Sequence, residues 1–319
     1  MYLGPYTKYR QHFLGTYSAT LVARLGWNAF SSAIRANPAL FLYSVRGQRD
    51  AIRLLDGTAE NSVDANTRAL LTKPLISLTA GEVLQNPDAR FIARQAQDSK
   101  LLLEYADARS GLHAGDLNQF FGQFWEVARK GDSWELAQTA VSNTEHFGGR
   151  EKILLWEKES GRLAALAESV KHLNHAAQNW RAGKPFWGKR GIIIGLMGNV
   201  DAALYTGEPF DSNSSALVPN DPRDLPAIWA FCESGEFSRA VRSIDKSLKL
   251  APKTLLKIPF DVERWRQRAI ESYPDGLPKP YADDVTQWNF HGHPQPSTCL
   301  LYTSPSPRDR TRSRMPSSA

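Results

Sequence analysis

From Arg109 to Val127 the chain reads RSGLHAGDLNQFFGQFWEV, with three glycines and four aromatic residues in one short run around Asp116 and Asn118. Few backbones accept that combination. Glycine reaches the left-handed conformations that tight turns require, whereas large rings next to the turn need a core to cover them. The stretch therefore predicts a tight turn at Gly111 and Gly115, pinned by the Asp116 side chain bonding to nearby backbone. A strand is expected over Phe124–Ala128, with Phe121, Phe124 and Trp125 anchored in the core.

Similar punctuation organises the rest of the chain. Residues 1–60 read as helix, strand, loop and strand, with ALFLYSV (39–45) a short buried strand between Pro38 and Gly47. A helix starts after a cap at Asn61 or Ser62 and runs through Leu71. Strands are expected at Ile153–Trp156, Gly191–Met197, Ser215–Val218 and Thr254–Ile258. Helices are expected over 160–180, twice within 223–250 around Ser234-Gly235, and from Asp261 to just before Pro274. The fold class that follows is α/β and then α+β. Four segments are expected: 1–74 as the end of a sheet domain, 75–273 as a second module, 274–298 as a Pro-rich linker, and 299–319 as a disordered tail.

The chain has 319 residues, 42% apolar and 23% charged, the balance of a globular protein with one large or two ordinary domains. It has neither a membrane-length apolar run nor a secretory pattern at MYLGPYTKYRQHF, so a cytoplasmic location and no membrane partner are expected. Two cysteines, Cys232 and Cys299, cannot build a disulfide framework or a zinc cage. The formal net charge is +6, and half of it resides in the tail from Cys299, which carries four arginines against Asp309. That Ser-, Pro- and Arg-rich tail is read either as a basic nucleic-acid-binding arm or as translated sequencing-adapter read-through, which it resembles. The second reading makes the chain a fragment.

Several motifs bear on chemistry. Gly183-Lys-Pro-Phe-Trp-Gly-Lys-Arg190 fits the phosphate-loop spacing, but Arg190 stands where magnesium needs Ser or Thr, and a strand follows where a helix should. What remains is a basic loop, Lys184, Lys189 and Arg190 around Phe186 and Trp187, suited to phosphates and bases, or else a solvated turn with Trp187 in the core. Tyr205, Thr206 and Gly207 open a second polar loop that ends in Asn213 and Ser214, and Asx turns account for it equally well. His172 with His175, and His291 with His293, lack companion carboxylates or thiolates, so no metal site is expected. No nucleophile elbow exists, and Cys232 sits in an apolar helix pattern. No catalytic residue is assigned.

Taken together, RSGLHAGDLNQFFGQFWEV, FGGREKILLWE, the run from Phe186 to Ser234, TLLKIPFDVERW and YPDGLPKPYADDVTQWNFHGHP resemble the region following the catalytic domain of large N6-adenine DNA methyltransferases. These belong to restriction–modification and phage-exclusion (BREX-like) systems. The resemblance spans most of 75–294 and keeps its order. Where the family has Gly-x-x-Thr-Gly-Asp-Asn, this chain keeps Gly111, Gly115 and Asp116 but has Ala114 and Leu117, with Asn118 one place later.

The resemblance implies a mixed α+β target-recognition domain after the C-terminal edge of a Rossmann-like sheet. Lys184, Trp187, Lys189, Arg190, Asn213 and Ser214 would face double-stranded DNA. Gly111, Gly115, Asp116, Asn118, Tyr205, Thr206 and Gly207 would shape the recognition loops. Its partners would be DNA, the missing N-terminal methyltransferase domain and other defence-system subunits. The parent would use S-adenosylmethionine. This chain lacks the Pro-Pro-aromatic motif that holds the adenine amino group, Asn37-Pro-Ala-Leu40 being the nearest string, so neither cofactor binding nor activity is expected of it alone. The rival reading is a non-catalytic protein-interaction module of a defence complex.

Overall fold

The structure is a computed structural model that describes residues 6–26, 29, 38–45, 51–58, 62–92, 100–127, 131–173 and 179–279. Asn37, Asn61, His175, the histidines at 291 and 293 and the basic tail lie outside the described residues.

The chain begins with α1 (Thr7–Thr16), β1 (Ser18–Arg24), β2 (Ala39–Ser44) and β3 (Ile52–Asp56). α2 (Val63–Thr72) starts where Ser62 accepts a hydrogen bond from Ala65 N at 3.1 Å, a side-chain cap for an otherwise unpaired amide. β4 (Ile76–Leu78) follows, and then α3 (Ala80–Gln85), opened by a reciprocal capping box between Thr79 and Glu82. Next come β5 (Ala106–Ser110), α4 (Leu117–Phe120), β6 (Phe121–Gln123), β7 (Trp134–Ala137), β8 (Lys152–Leu155) and α5 (Arg162–Val170). The chain continues through β9 (Gly191–Gly195), β10 (Ala202–Tyr205), β11 (Ser214–Pro219), α6 (Leu225–Glu233), α7 (Glu236–Ile244) and α8 (Val262–Ser272). Gly235, at φ 73°, makes the sharp break between α6 and α7.

These elements form two compact units. The first takes the chain up to Tyr105 together with Gly235–Asp261. Its sheet runs β2-β1-β3-β4, with β1 and β3 parallel and both outer strands antiparallel. Phe13, Val22, Leu54, Val83 and Phe91 fill its core. Buried arginines there are paired: Arg10 donates to Asp88 O at 2.9 Å, Arg24 pairs with Asp56 at 3.1 Å, and Arg90 donates to Ile244 O at 2.9 Å and pairs with Asp245 at 3.3 Å. The 74/75 boundary expected from sequence falls inside this unit, where β4 pairs with β3.

The second unit takes Ala106–Ser234 and the chain from Val262. Its main sheet, β10-β9-β11-β5, is antiparallel throughout, and a smaller sheet runs β6-β8-β7. Every residue of β9 and β10 is buried, so the Ile192–Ile194 run is enclosed on both faces of the sheet. The fold class is accordingly mixed α and β, with small sheets and short helices among the described residues.

Four expectations are corrected. β2 is an edge strand with Leu40 and Leu42 exposed, because β1 pairs with it on one side only. Phe124–Glu126 is a single 3-10 turn and no strand, since Glu126 turns back to accept from Gln123 N at 2.8 Å. Trp125 is therefore half exposed, while Phe124 is buried. Thr254 closes a 3-10 turn, Pro252–Thr254, and residues 255–258 form turns and bends in place of the expected strand. The helix expected over 160–180 is the shorter α5.

Candidate nucleic-acid interface

Three sequence segments far apart in the chain converge on Phe210. Leu112 N donates to Phe210 O at 2.8 Å. A Cβ on Gly111 would lie 2.0 Å from that oxygen, and one on Gly183 would lie 2.7 Å from the Phe210 ring. Only glycine allows such close backbone approach. Gly188 N donates to Gly207 O at 2.8 Å, and a Cβ on Gly207, at φ 111°, would meet Gly188 Cα at 2.6 Å. The basic loop and the loop after β10 are thus clasped main chain to main chain.

Buried side chains hold this clasp from beneath. The Tyr205 hydroxyl donates to Glu208 O at 2.8 Å, with Phe186 O 3.3 Å away. Burial, reinforced by the Glu208 carboxylate, pushes the Tyr205 phenol well above its ordinary range, so it remains a donor. Arg150 donates to Leu204 O and Thr206 Oγ1, both at 2.9 Å, and pairs with Glu208. Burial lowers the Arg150 pKa against the opposing pull of Glu208. Gln138 donates to Gly148 O and Leu204 O at 3.0 Å each.

Gly115, at φ 78°, makes the expected turn. The Asp116 carboxylate caps α4, accepting from Asn118 N at 3.0 Å and Gln119 N at 3.2 Å, and Asn118 is exposed. Tyr205, Thr206 and Gly207 belong to the clasp. Ser214 is fully buried, its hydroxyl donating to Asp211 at 2.6 Å, which makes it a support of the loop and withdraws it from the surface. Asn213 is half-buried, and its carbonyl accepts from Leu196 N at 2.9 Å. Trp187 packs against Trp156 with ring centroids 4.9 Å apart at 73°, its indole N–H buried without a hydrogen-bond partner. That inward ring is a packing anchor.

The cations of the basic loop differ among themselves. Lys184 pairs with Glu159, which also holds Arg181 at 3.5 Å. Lys189 and Arg190 are exposed, and among the described residues no carboxylate pairs with either. The Lys189 ammonium lies 5.5 Å from the Phe186 ring centroid and the Arg109 guanidinium 5.4 Å from it, so both are cation–π contacts on one buried ring. Arg190 adjoins the start of β9, whereas Asn213 adjoins Ser214, which pairs with Gly195 at its end. Asn213 lies opposite Leu196, so those two positions are separated along the sheet by about 20 Å at roughly 3.3 Å per residue.

Sequence reasoning missed Arg150, Glu208, Gln138 and Phe210. Arg150 and Glu208 lie 58 residues apart, and no local periodicity marks such a pair. Among the described residues no His, Cys, Asp or Glu cluster could hold a metal, and no helix is long and apolar enough to cross a membrane. Cys232 is buried, and burial alone raises its thiol pKa far above the ordinary value.

No protein-family model matches the chain, and no curated protein matches it significantly. Among solved structures it is similar to the type IIL restriction–modification enzyme MmeI in complex with DNA, with 12% identity, a TM-score of 0.43, and coverage of 82% of this chain and 39% of that one. It is also similar to the type IIG restriction endonuclease BpuSI, with 10% identity, a TM-score of 0.35, and coverage of 87% of this chain and 41% of that one. A third is the HsdS subunit from Thermoanaerobacter tengcongensis, with 10% identity, a TM-score of 0.30, and coverage of 62% of this chain and 43% of that one. The chain thus spans about two fifths of each neighbour. Scores this low assign no residue a role.

Proposed function

We propose that this chain carries the duplex-docking and target-recognition region of a site-specific adenine-N6 DNA methyltransferase of a restriction–modification or phage-exclusion system. Residues 1–74 would be the closing elements of its Rossmann-like catalytic sheet, a reading supported by the parallel β1–β3 pair. The observation that carries the proposal is the clasped loop pair, which presents Lys189 and Arg190 at one end of an enclosed strand and Asn213 at the other. Exposed cations can fix register on phosphates, and a polar amide about 20 Å along the sheet can reach toward base edges.

Methyl transfer in the parent would draw on S-adenosylmethionine. At the carboxyl ends of the parallel strands Asp56 already accepts from Arg24 at 3.1 Å and from Thr58 N at 3.0 Å. We expect calorimetric titration of the chain with S-adenosylmethionine to show no micromolar binding.

Replacing Lys184, Lys189 and Arg190 with Ala tests the docking role, measured on a chain ending at Thr298 so that the tail arginines do not mask the effect. Binding to duplex DNA of any sequence should weaken, and the log–log salt slope should flatten by roughly 0.9 per lost phosphate contact. With Lys184 held by Glu159, the flattening should be nearer two contacts than three. Asn213→Ala should alter sequence preference and leave the salt slope in place. Unchanged affinity and slope in the triple variant would remove the loop from the DNA face and favour the protein-interaction reading.

A further inference from the structure

The turn that pairs with the basic loop has an unusual backbone. Glu157, Lys158 and Glu159 follow one another at φ 49°, 53° and 68°, a left-handed run without a glycine. A Cβ makes that conformation costly, so such a run persists only where its surroundings impose it, and it marks a place where geometry serves a purpose. Here Trp156 N and Glu157 N both donate to Ser133 O, at 2.9 and 3.0 Å. The Trp156 ring packs against Trp180 and Trp187, with centroids 5.3 and 4.9 Å away. The charges of the turn are divided. Glu157 accepts from Arg162 N at 2.8 Å and Lys158 pairs with Asp132 at 3.0 Å, whereas Glu159 reaches across to Arg181 and Lys184. Those two cations stand at the ends of one turn, where Lys184 N donates to Arg181 O at 3.1 Å. Each takes a different oxygen of the Glu159 carboxylate.

We infer that Arg181 and Lys184 form a binding site for a backbone phosphate and that Glu159 fills it as an internal stand-in, an inference that rests on the DNA-docking reading. A carboxylate and a phosphodiester each offer two charge-bearing oxygens, so two cations spread over the one are placed to hold the other. The Glu159 side chain is 26% exposed, Arg181 53% and Lys184 44%, so a phosphate can reach all three. Ion pairs this exposed contribute little stability, which does not account for a strained turn that builds two of them. The site also continues the candidate interface. Lys184 opens the loop that presents Lys189 and Arg190, and Gly183 seats the same turn against the Phe210 ring. Phosphate contacts supply affinity for any sequence, whereas base contacts discriminate. By withholding two cations from phosphates, Glu159 lowers sequence-independent binding and leaves discrimination to the positions that address bases.

The test compares the full chain with its Glu159→Gln variant, which keeps the shape of the side chain and removes its charge. The log–log salt slope for duplex DNA of any sequence should steepen by roughly 0.9 for each freed cation, and affinity at about 0.1 M salt should rise roughly tenfold or more. Glu159→Gly suits the left-handed backbone and removes the same charge, so it should show the same gain. A gain confined to one of the two variants traces to the fold and overturns the assignment. In a chain already carrying Arg181→Ala and Lys184→Ala, Glu159→Gln should add nothing. A gain that survives there is a general effect of removing one negative charge and also overturns it. An unchanged slope in Glu159→Gln, with wild-type duplex binding intact, overturns the stand-in role and leaves the docking reading standing. Absence of duplex binding in wild type and variant alike overturns both. Inorganic phosphate is the second probe: tighter phosphate binding by Glu159→Gln with no gain on duplex makes the pair a site for free anions and overturns its assignment to DNA.

Discussion

The two four-stranded sheets of this molecule use apolar sequence differently. In the first unit no residue of β2 is fully buried, and Leu40, Leu42 and Tyr43 are exposed. In the second unit β9 and β10 are buried at every position. The first sheet leaves leucines of β2 exposed, and the second encloses β9 and β10, between which and β11 loops project. A loop keeps its shape only if what lies under it does not move, and this is why the candidate interface belongs to the second sheet.

The contrast breaks most directly by truncating one side chain on each sheet. Ile193→Ala in β9 should cost about 2–5 kcal/mol, because a fully buried side chain leaves a cavity behind. Leu42→Ala on β2 should stay within about 0.5 kcal/mol, since the side chain is 59% exposed. Chemical denaturation measures both, and equal costs would mean that the two sheets are enclosed alike.

A smaller effect separates platform from loop. Gly207→Ala forces a Cβ to within 2.6 Å of Gly188 Cα in a conformation that other residues avoid. Backbone strain alone should cost about 1–3 kcal/mol. DNA affinity should fall more steeply than the melting temperature, because the basic loop loses its fastening. A variant that melts as the wild type does and binds as tightly would show that the clasp is incidental.

The smallest effect concerns the first sheet. Burial would raise the Asp56 pKa, but the Arg24 charge and the Thr58 bonds outweigh it and hold it below the ordinary 3.8. A carboxylate depressed on folding adds stability above its unfolded pKa and loses it as pH falls through the folded value. The stability advantage over Asp56→Asn should therefore be steady near neutrality and vanish in acid below pH 3.8, as followed by denaturant titration at several pH values. Because Asp56 is partly exposed, salt should shrink the difference.

Legibility in the sequence followed the range of the interactions. Ser62 and Thr79 cap their helices, Gly235 breaks one, and the three isoleucines of β9 enclose a strand, all through local chemistry that a reader of the sequence can follow. The segment after Thr254 is as apolar as a strand, yet it makes only scattered bonds to a distant stretch. Leu103 N donates to Leu256 O at 2.9 Å, and Phe260 N to Lys100 O at 2.8 Å. Nothing in its periodicity announces that partial pairing. The site divides similarly. Asp116 as a cap, Gly207 as a turn and the alternative of Trp187 in the core were readable, but the burial of Ser214 depends on neighbours that only the fold supplies.

The Gly188–Gly207 junction has one more consequence. Its two loops are joined through main-chain atoms at positions that carry no side chain, so the joint itself draws on no exposed side chain. Exposed positions such as Lys189 and Arg190 can then be exchanged without altering the backbone that displays them. A surface fastened in this manner can change what it binds by point substitution, keep the same scaffold, and supply a natural starting place for combinatorial libraries.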